Sequence, residues 1–321
     1  MKAILVAQPG GPEVMELADL PVPSAPGPGQ VTVKVAASGV NFIDIYHRTG
    51  LYKSDWPANL GMEGAGVVEA VGEGVSNFSP GDRVAYAMAR GSYAEYQSVA
   101  ASYLVHVPDA VDLEVAAAAM LQGMTAHYLT HSTFPLRANQ VALVHAVAGG
   151  TGLLIVQMAK LLGATVIGTT SSDEKAAKAR QAGADYVINY TDFETEVKRI
   201  TAGKGVDVVY DSVGANTFEK SLNVLHPRGT LVSFGQSSGA VKAIEPLLLA
   251  QKGSLYLTRP NLAHYIADRA EVEWRAGDIL SWIAGQKLHI EIAASYPLAK
   301  AAQAHRDLES RRTSGKLILI P

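Results

Sequence analysis

The stretch VALVHAVAGGTGLLIVQMAKLLG, residues 141–163, decides how the rest of the chain is read. It opens on an apolar run with a β-branched bias, as in a strand covered on both faces. Gly149, Gly150, Thr151 and Gly152 form a turn, and an apolar run of helical length follows. Strand, glycine turn and helix in that order gather backbone N–H groups and the positive end of a helix dipole. A pyrophosphate can sit at that point. The dinucleotide fingerprint G-x-G-x-x-G maps onto Val147, Gly149 and Gly152, so its first glycine is missing. Context supplies what the motif lacks, because further β/α units follow the turn.

Toward the C terminus, short β-branched runs recur at 141–147, 165–170, 185–189, 206–210, 229–234 and 253–257. Helical stretches at 152–162, 173–182, 192–202, 215–225 and 244–251 separate them. This alternation predicts an α/β fold with a doubly wound, six-stranded parallel sheet. The second of these strands ends at Thr170, about 20 residues after the glycine turn, where an NAD site carries a carboxylate for the ribose. Ser171, Ser172 and Lys175 follow, and hydroxyls with a cation suit a 2′-phosphate. The expected cofactor is therefore NADPH, although Lys175 also reads as a solvated helix lysine. Asp173 is expected to cap the helix.

Toward the N terminus the period changes. Gln30–Ala36 alternates at period two, and Gly66–Val71, Arg83–Ala87, Tyr93–Val99 and Tyr103–Val107 are further short strands. Strands at this spacing predict a compact β domain of barrel type. The tail strand Lys316–Ile320 is expected to return to it. The predicted division is 1–123 with 265–321 as one domain and 124–264 as the nucleotide domain. The opening MKAILVAQPGGPEV reads as a strand and turn and not as a signal peptide. No apolar run reaches roughly 18 residues, so a cytoplasmic protein with no membrane span is expected. The 321 residues are 48% hydrophobic and carry a net charge of −3, which gives no basic field for nucleic acid. There is no cysteine, which excludes disulfides, thiolate nucleophiles and cysteine-ligated metals.

The motifs NFIDIYHRTGLY (41–52), GMEGAGVVEAVGEGV (61–75), PGDRV (80–84), GMT (123–125), AVAGGTG (146–152), VINY (187–190), YDSVG (210–214), SFGQSSG (233–239) and LTRP (257–260) span essentially the whole chain. Together they resemble the zinc-free quinone oxidoreductases, related to ζ-crystallin, of the medium-chain dehydrogenase/reductase superfamily. The resemblance implies a GroES-like, partly open β-barrel catalytic domain beside a Rossmann domain. Zinc-dependent members carry Gly-His-Glu; Gly61, Glu63, Gly66 and Gly72 keep that spacing here, but Met62 stands in place of the histidine. The cysteine ligand corresponds to Asn41, and only a short turn follows PGDRV where a four-cysteine zinc lobe would be inserted. A thioether is a poor zinc ligand, so no metal is expected and a structural role for Glu63 is favoured.

Without zinc to stabilise an alkoxide, an acceptor that is already electrophilic is the expected substrate. The resemblance implies NADPH-dependent reduction of a quinone, with reduction of alkenals or alkenones as the alternative. A regulatory or RNA-binding NADPH protein is the reading from another class. Asn41, Tyr46 and Tyr52 are the candidate catalytic residues, the tyrosines bonding or stacking on the acceptor or merely lining its wall. On the cofactor side the resemblance implies Asn41, Thr125, Gly149, Gly150, Thr151, Gly152, Ser171, Lys175, Tyr190, Ser212, Phe234, Gly235 and Gln236. Lys316 is a further contact there, or a solvated tail lysine. His127 and His131 share a helix face but lack a third ligand, His145 reads as a packed residue of the first sheet strand, and Arg311-Arg312 as a solvated pair. An apolar edge at 253–259 predicts a homodimer through the last strand of the sheet.

Overall fold

The computed structural model describes residues 1–23, 25–310 and 313–321. The Arg311-Arg312 pair lies outside the described residues. Contacts divide the chain into two units, Met1–Met124 with Ile266–Pro321, and Thr125–Tyr265. Each boundary lies one residue beyond that read from the sequence.

In the first unit, β1 (Lys2–Val6), β2 (Met15–Asp19), β3 (Gln30–Val40), α1 (Phe42–Arg48), β4 (Ala58–Asn59), β5 (Glu63–Val71), β6 (Arg83–Ala87), β7 (Tyr96–Ala100), β8 (Val105–His106) and α2 (Leu113–Tyr128) follow in order, the boundary falling within α2. The 11-residue β3 organises the unit. One edge pairs antiparallel with β5, with register shifts near Thr32/Val33 and Val35/Ala37. Its other edge takes β7 against residues 30–34. Bulges bend a strand and raise its twist, which lets one sheet curl toward a barrel. β1, β2 and β4 form a separate three-stranded sheet. Val31, Val33, Val68, Val84, Tyr86 and Val99 fill the interior beneath β3.

The second unit carries β9 (Val141–Val144), α3 (Gly150–Leu161), β10 (Thr165–Thr170), α4 (Asp173–Gln181), β11 (Tyr186–Asn189), α5 (Phe193–Ile200), β12 (Val206–Asp211), α6 (Phe218–Leu222), β13 (Leu225–Ser233), α7 (Leu247–Gln251) and β14 (Tyr256–Thr258). The sheet is parallel throughout, in the order β11-β10-β9-β12-β13-β14. This is the doubly wound arrangement expected from the alternation. The order reverses between β9 and β12, and ligands of such sheets bind outside the strand ends at that point. Leu143, Ile167, Val209, Phe218, Leu222 and Leu231 belong to its buried core.

The chain then returns to the first unit as α8 (Arg269–Ala284), β15 (Ile292–Pro297), α9 (Ala301–Glu309) and β16 (Lys316–Ile320). β16 pairs antiparallel with Ser38–Val40 of β3 and parallel with β15, completing a seven-stranded sheet. The expected return of the tail strand is thus observed.

Several local expectations are corrected. The helices read at 215–225 and 244–251 are each five residues long, and Ser172, not Asp173, caps α4, its hydroxyl accepting from Lys175 N–H. The 93–99 and 103–107 runs form strands only at 96–100 and 105–106. The edge strand is three residues long where a seven-residue stretch was read. β4 and β15 had no legible signal, one being two residues long and the other alternating between half-buried and exposed positions. Among the described residues, no helix is long and apolar enough to cross a membrane.

Candidate functional site

In the second unit, loops following five successive strands carry the residues expected to hold a dinucleotide. After β9 the backbone turns through Ala146, which adopts the left-handed conformation at φ 50°. Gly149 then caps α3 with extended backbone. A Cβ on Gly152 would lie 2.6 Å from Ala146 O and 2.7 Å from Val147 O, so turn and helix approach more closely than any side chain permits. The missing first glycine also has an explanation. Val147 packs over Gly168 of β10, where a Cβ would fall 2.6 Å from the valine methyls. The small residue has moved to the neighbouring strand, and Ala146 supplies the left-handed bend.

Tyr190, just past β11, belongs to this turn, because its hydroxyl accepts the Ala146 N–H at 2.8 Å. His145 beneath it is fully buried; Nδ1 lies 2.8 Å from Thr169 Oγ1 and Nε2 2.9 Å from Ser221 Oγ. Burial pushes this imidazole down to about 4, so it is neutral and packs the turn. Thr170 ends β10 and is 6% exposed; Ser171 and Ser172 are exposed beyond it, and Lys175 lies in the first turn of α4. Thr125 sits on α2, apart in sequence from these loops.

Asp211 at the end of β12 was missed by sequence reading. Its buried carboxylate accepts from Val213 N–H (2.7 Å), Gly214 N–H (3.0 Å) and Thr217 Oγ1. Its carbonyl accepts from Phe234 N–H at 2.8 Å. Ser212 O accepts from Ser237 N–H, and Ser238 Oγ donates to Val213 O at 2.7 Å. Ser212, Phe234, Gly235 and Gln236 are thereby brought into one block. The signal available was D-S-V-G directly after a strand, an aspartate-initiated turn.

In the first unit, Asn41, Glu63 and Lys316 meet although they lie far apart in the chain. Lys316 is 1% exposed and Glu63 fully buried. The ammonium bonds Glu63 Oε1 and donates to Asn41 Oδ1 at 2.7 Å. Asn41 Nδ2 donates to Glu63 Oε1 at 2.7 Å, and Leu121 N–H donates to Oε2 at 2.5 Å. Gly39 leaves the room, since a Cβ there would run into Glu63 and Lys316. One expectation is therefore corrected. Lys316 is not solvated; it is buried and its charge is engaged by Glu63. Asn41 holds this pair with both ends of its amide.

Asn41 also begins α1, and Asp44 at the third helical position returns its carboxylate to Asn41 N–H at 2.8 Å. The spacing N-x-x-D is half of a capping box, a signal that the sequence reading passed over. Asp44 Oδ2 also accepts from Tyr93 Oη at 3.1 Å, while Oδ1 is buried without a partner. Arg48 Nη1 lies 2.9 Å from His305 Nδ1, which must accept, so Nε2 carries the proton toward Tyr93. Arg48 then pairs with Glu309 at 2.7 Å.

Burial foremost pushes the Asp44 carboxyl up to about 7, against the opposing pull of Asn41 N–H, Lys316 and Tyr93. The folded chain thus keeps a proton that the unfolded carboxyl, near 3.8, has lost. Stability is fully present below about pH 4 and is lost as pH rises toward 7, by up to about 1.4 kcal/mol per unit. Asp44→Asn is expected to flatten that slope. Urea midpoints across this range check it, and parallel slopes for variant and parent would refute the assignment.

Tyr46 and Tyr52 form a tilted pair at 5.2 Å and 60°, both half-buried. His47, with its imidazole edge-on to Tyr52 at 5.6 Å, joins them. His127 and His131 stack at 4.2 Å, and among the described residues no three metal-ligating groups converge.

A GroES-like sheet joined to a Rossmann sheet, with a glycine turn after β9, defines a dehydrogenase/reductase of the medium-chain plan. Residues 27–109 match the alcohol dehydrogenase GroES-like domain, and 150–266 the zinc-binding dehydrogenase family. The chain is 48% identical to a quinone oxidoreductase of Pseudomonas aeruginosa, over 100% of this chain and 99% of that one. It is 42% identical to a 2-haloacrylate reductase of a Burkholderia species, over 99% and 98%. The crystal structure of Escherichia coli quinone oxidoreductase complexed with NADPH superposes with a TM-score of 0.97 at 44% identity, covering both chains fully. The chain belongs to the quinone oxidoreductase family of the medium-chain dehydrogenase/reductase superfamily.

Proposed function

We propose that this protein is a zinc-independent, NADPH-dependent quinone reductase. The observation that carries it is the Lys316–Glu63–Asn41 cluster. On the family's plan the zinc ligands fall at 41 and 62, with the carboxylate at 63. Here those positions hold an amide and a thioether, and the carboxylate is engaged by an ammonium. This donor set does not fit a zinc ion. The residues fit an acceptor that needs no Lewis acid, because a quinone is already electrophilic.

NADPH, when bound, supplies the hydride. Gly149–Gly152 at the start of α3 would hold the pyrophosphate, and Ser171 with Lys175 the 2′-phosphate, Thr170 offering no carboxylate to repel it. Tyr190 braces the turn from below, and Phe234–Gln236 close the nicotinamide side. On the acceptor side, Tyr46 and Tyr52 present ring faces and phenol groups that stack on and bond a quinone. Thr125 is assigned to the nicotinamide. The protein is further proposed to act in the cytoplasm as a homodimer paired along β14, where Tyr256 is 62% exposed.

Rates of cofactor oxidation with a quinone panel test the assignment. NADPH is expected to be preferred over NADH by at least about tenfold, and Lys175→Ala to raise the NADPH KM about tenfold while NADH turnover changes little. Equal use of both cofactors would refute the 2′-phosphate site. The likeness to a 2-haloacrylate reductase favours a second reading, reduction of an activated C=C bond with the same donor. Turnover of enones well above quinones would place it first.

A further inference from the structure

Arg90 stands on the turn between β6 and β7, the short connection where the family's zinc plan inserts a lobe. This turn is held firmly. Met88 N–H donates to Met62 O at 2.7 Å and Gly91 N–H to Gly61 O at 2.8 Å. Buried Gln97 donates to Arg90 O at 2.9 Å and to Ala89 O at 3.2 Å, and accepts from Tyr86 Oη at 2.6 Å. Met88 takes the left-handed conformation at φ 64°.

The Arg90 side chain is exposed, yet it is oriented. Its Nη2 lies 2.8 Å from His47 Nδ1 and 3.3 Å from Nε2, so the guanidinium rests against the imidazole. Among the described residues it has no carboxylate partner, and these are the side chain's only hydrogen bonds. Burial, and then the charge of Arg90, push His47 down to about 4. At neutral pH the imidazole is therefore an uncharged support, with Ser54 Oγ at 3.1 Å on its Nδ1. His47 meets Tyr52, and Tyr52 meets Tyr46. One continuous cluster thus runs from the tyrosine pair to an unneutralised guanidinium.

We infer that Arg90 is a specificity-determining residue that selects acceptors bearing a carboxylate beside the reducible group. This rests on the assignment of Tyr46 and Tyr52 to the acceptor side. A planar fork with free donors matches a carboxylate in two bonds, and holding it against a ring beforehand reduces the ordering cost of binding. The tyrosines take the conjugated part of the acceptor while Arg90 takes its anionic end.

The test uses a 4-oxo-2-alkenoate and its methyl ester as matched acceptors. Wild-type enzyme is expected to prefer the acid, and Arg90→Gln to lower the acid-to-ester ratio of kcat/KM by at least about tenfold, mainly through KM. Arg90→Lys is expected to restore only part of the ratio, since a point charge lacks the fork. An unchanged ratio in Arg90→Gln overturns the inference. If wild-type enzyme reduces neither quinones nor enones, the reductase assignment fails separately. Calorimetric titration with the saturated 4-oxoalkanoate then decides Arg90: weaker binding to Arg90→Gln supports it, and equal binding overturns it.

Discussion

Lys316→Met is expected to destabilise the protein by about 3–5 kcal/mol, because it leaves the fully buried Glu63 carboxyl without its counter-charge. Two N–H donors, from Asn41 and Leu121, would remain on the carboxylate. They satisfy its lone pairs but carry no compensating charge. The double variant Glu63→Gln/Lys316→Met removes both charges while keeping acceptor capacity at position 63. It is expected to recover most of the loss and to fall within about 2 kcal/mol of the parent, since a buried pair contributes little beyond cancelling its own desolvation. Urea unfolding of the parent, both single variants and the double variant measures the coupling. If Lys316→Met costs less than about 1 kcal/mol, or the double variant is as unstable as the single, the pair is not what holds the two groups in the interior.

Gly152→Ala is expected to weaken NADPH binding by about 100-fold, or about 2.7 kcal/mol. The added methyl would meet Ala146 O and Val147 O, which are backbone atoms of the turn and cannot swing aside. Helix α3 must then withdraw from the turn, and its first N–H groups withdraw with it. Gly149→Ala is the internal control. Its nearest neighbour to an added Cβ is 3.2 Å away and its φ is −74°, so less than about tenfold loss is expected. Titration calorimetry with NADPH separates the two. Equal losses would show that a general need for glycine, and not close approach at position 152, governs the turn.

Much of the second unit was legible in residues 141–257. A parallel strand covered on both faces must be apolar along its length, and each connecting helix shows its own period, so number and order of elements survive in a single sequence. The short helices at 218–222 and 247–251 were overread because apolar residues continue past their ends into packed loops. In the first unit most strands of the large sheet were found, β15 excepted, but α1 was not. Its seven residues span two turns, and Asp44, Ile45, His47 and Arg48 are all buried, so it shows no polar face.

The glycine turn, the absent carboxylate at Thr170 and the missing ligands at Asn41 and Met62 are decided by the sequence alone, because each depends on residue type at a fixed local spacing. Tertiary structure decided which polar side chains complete one another. Lys316 reaches Asn41 and Glu63 across separations of 275 and 253 residues, and Arg48 reaches His305 across 257. Arg90 finds His47 across 43. A buried charge must be neutralised by whatever the folded chain brings beside it, and no local pattern encodes that partner. The tail lysine that also read as solvated is the buried counter-ion of the retained glutamate.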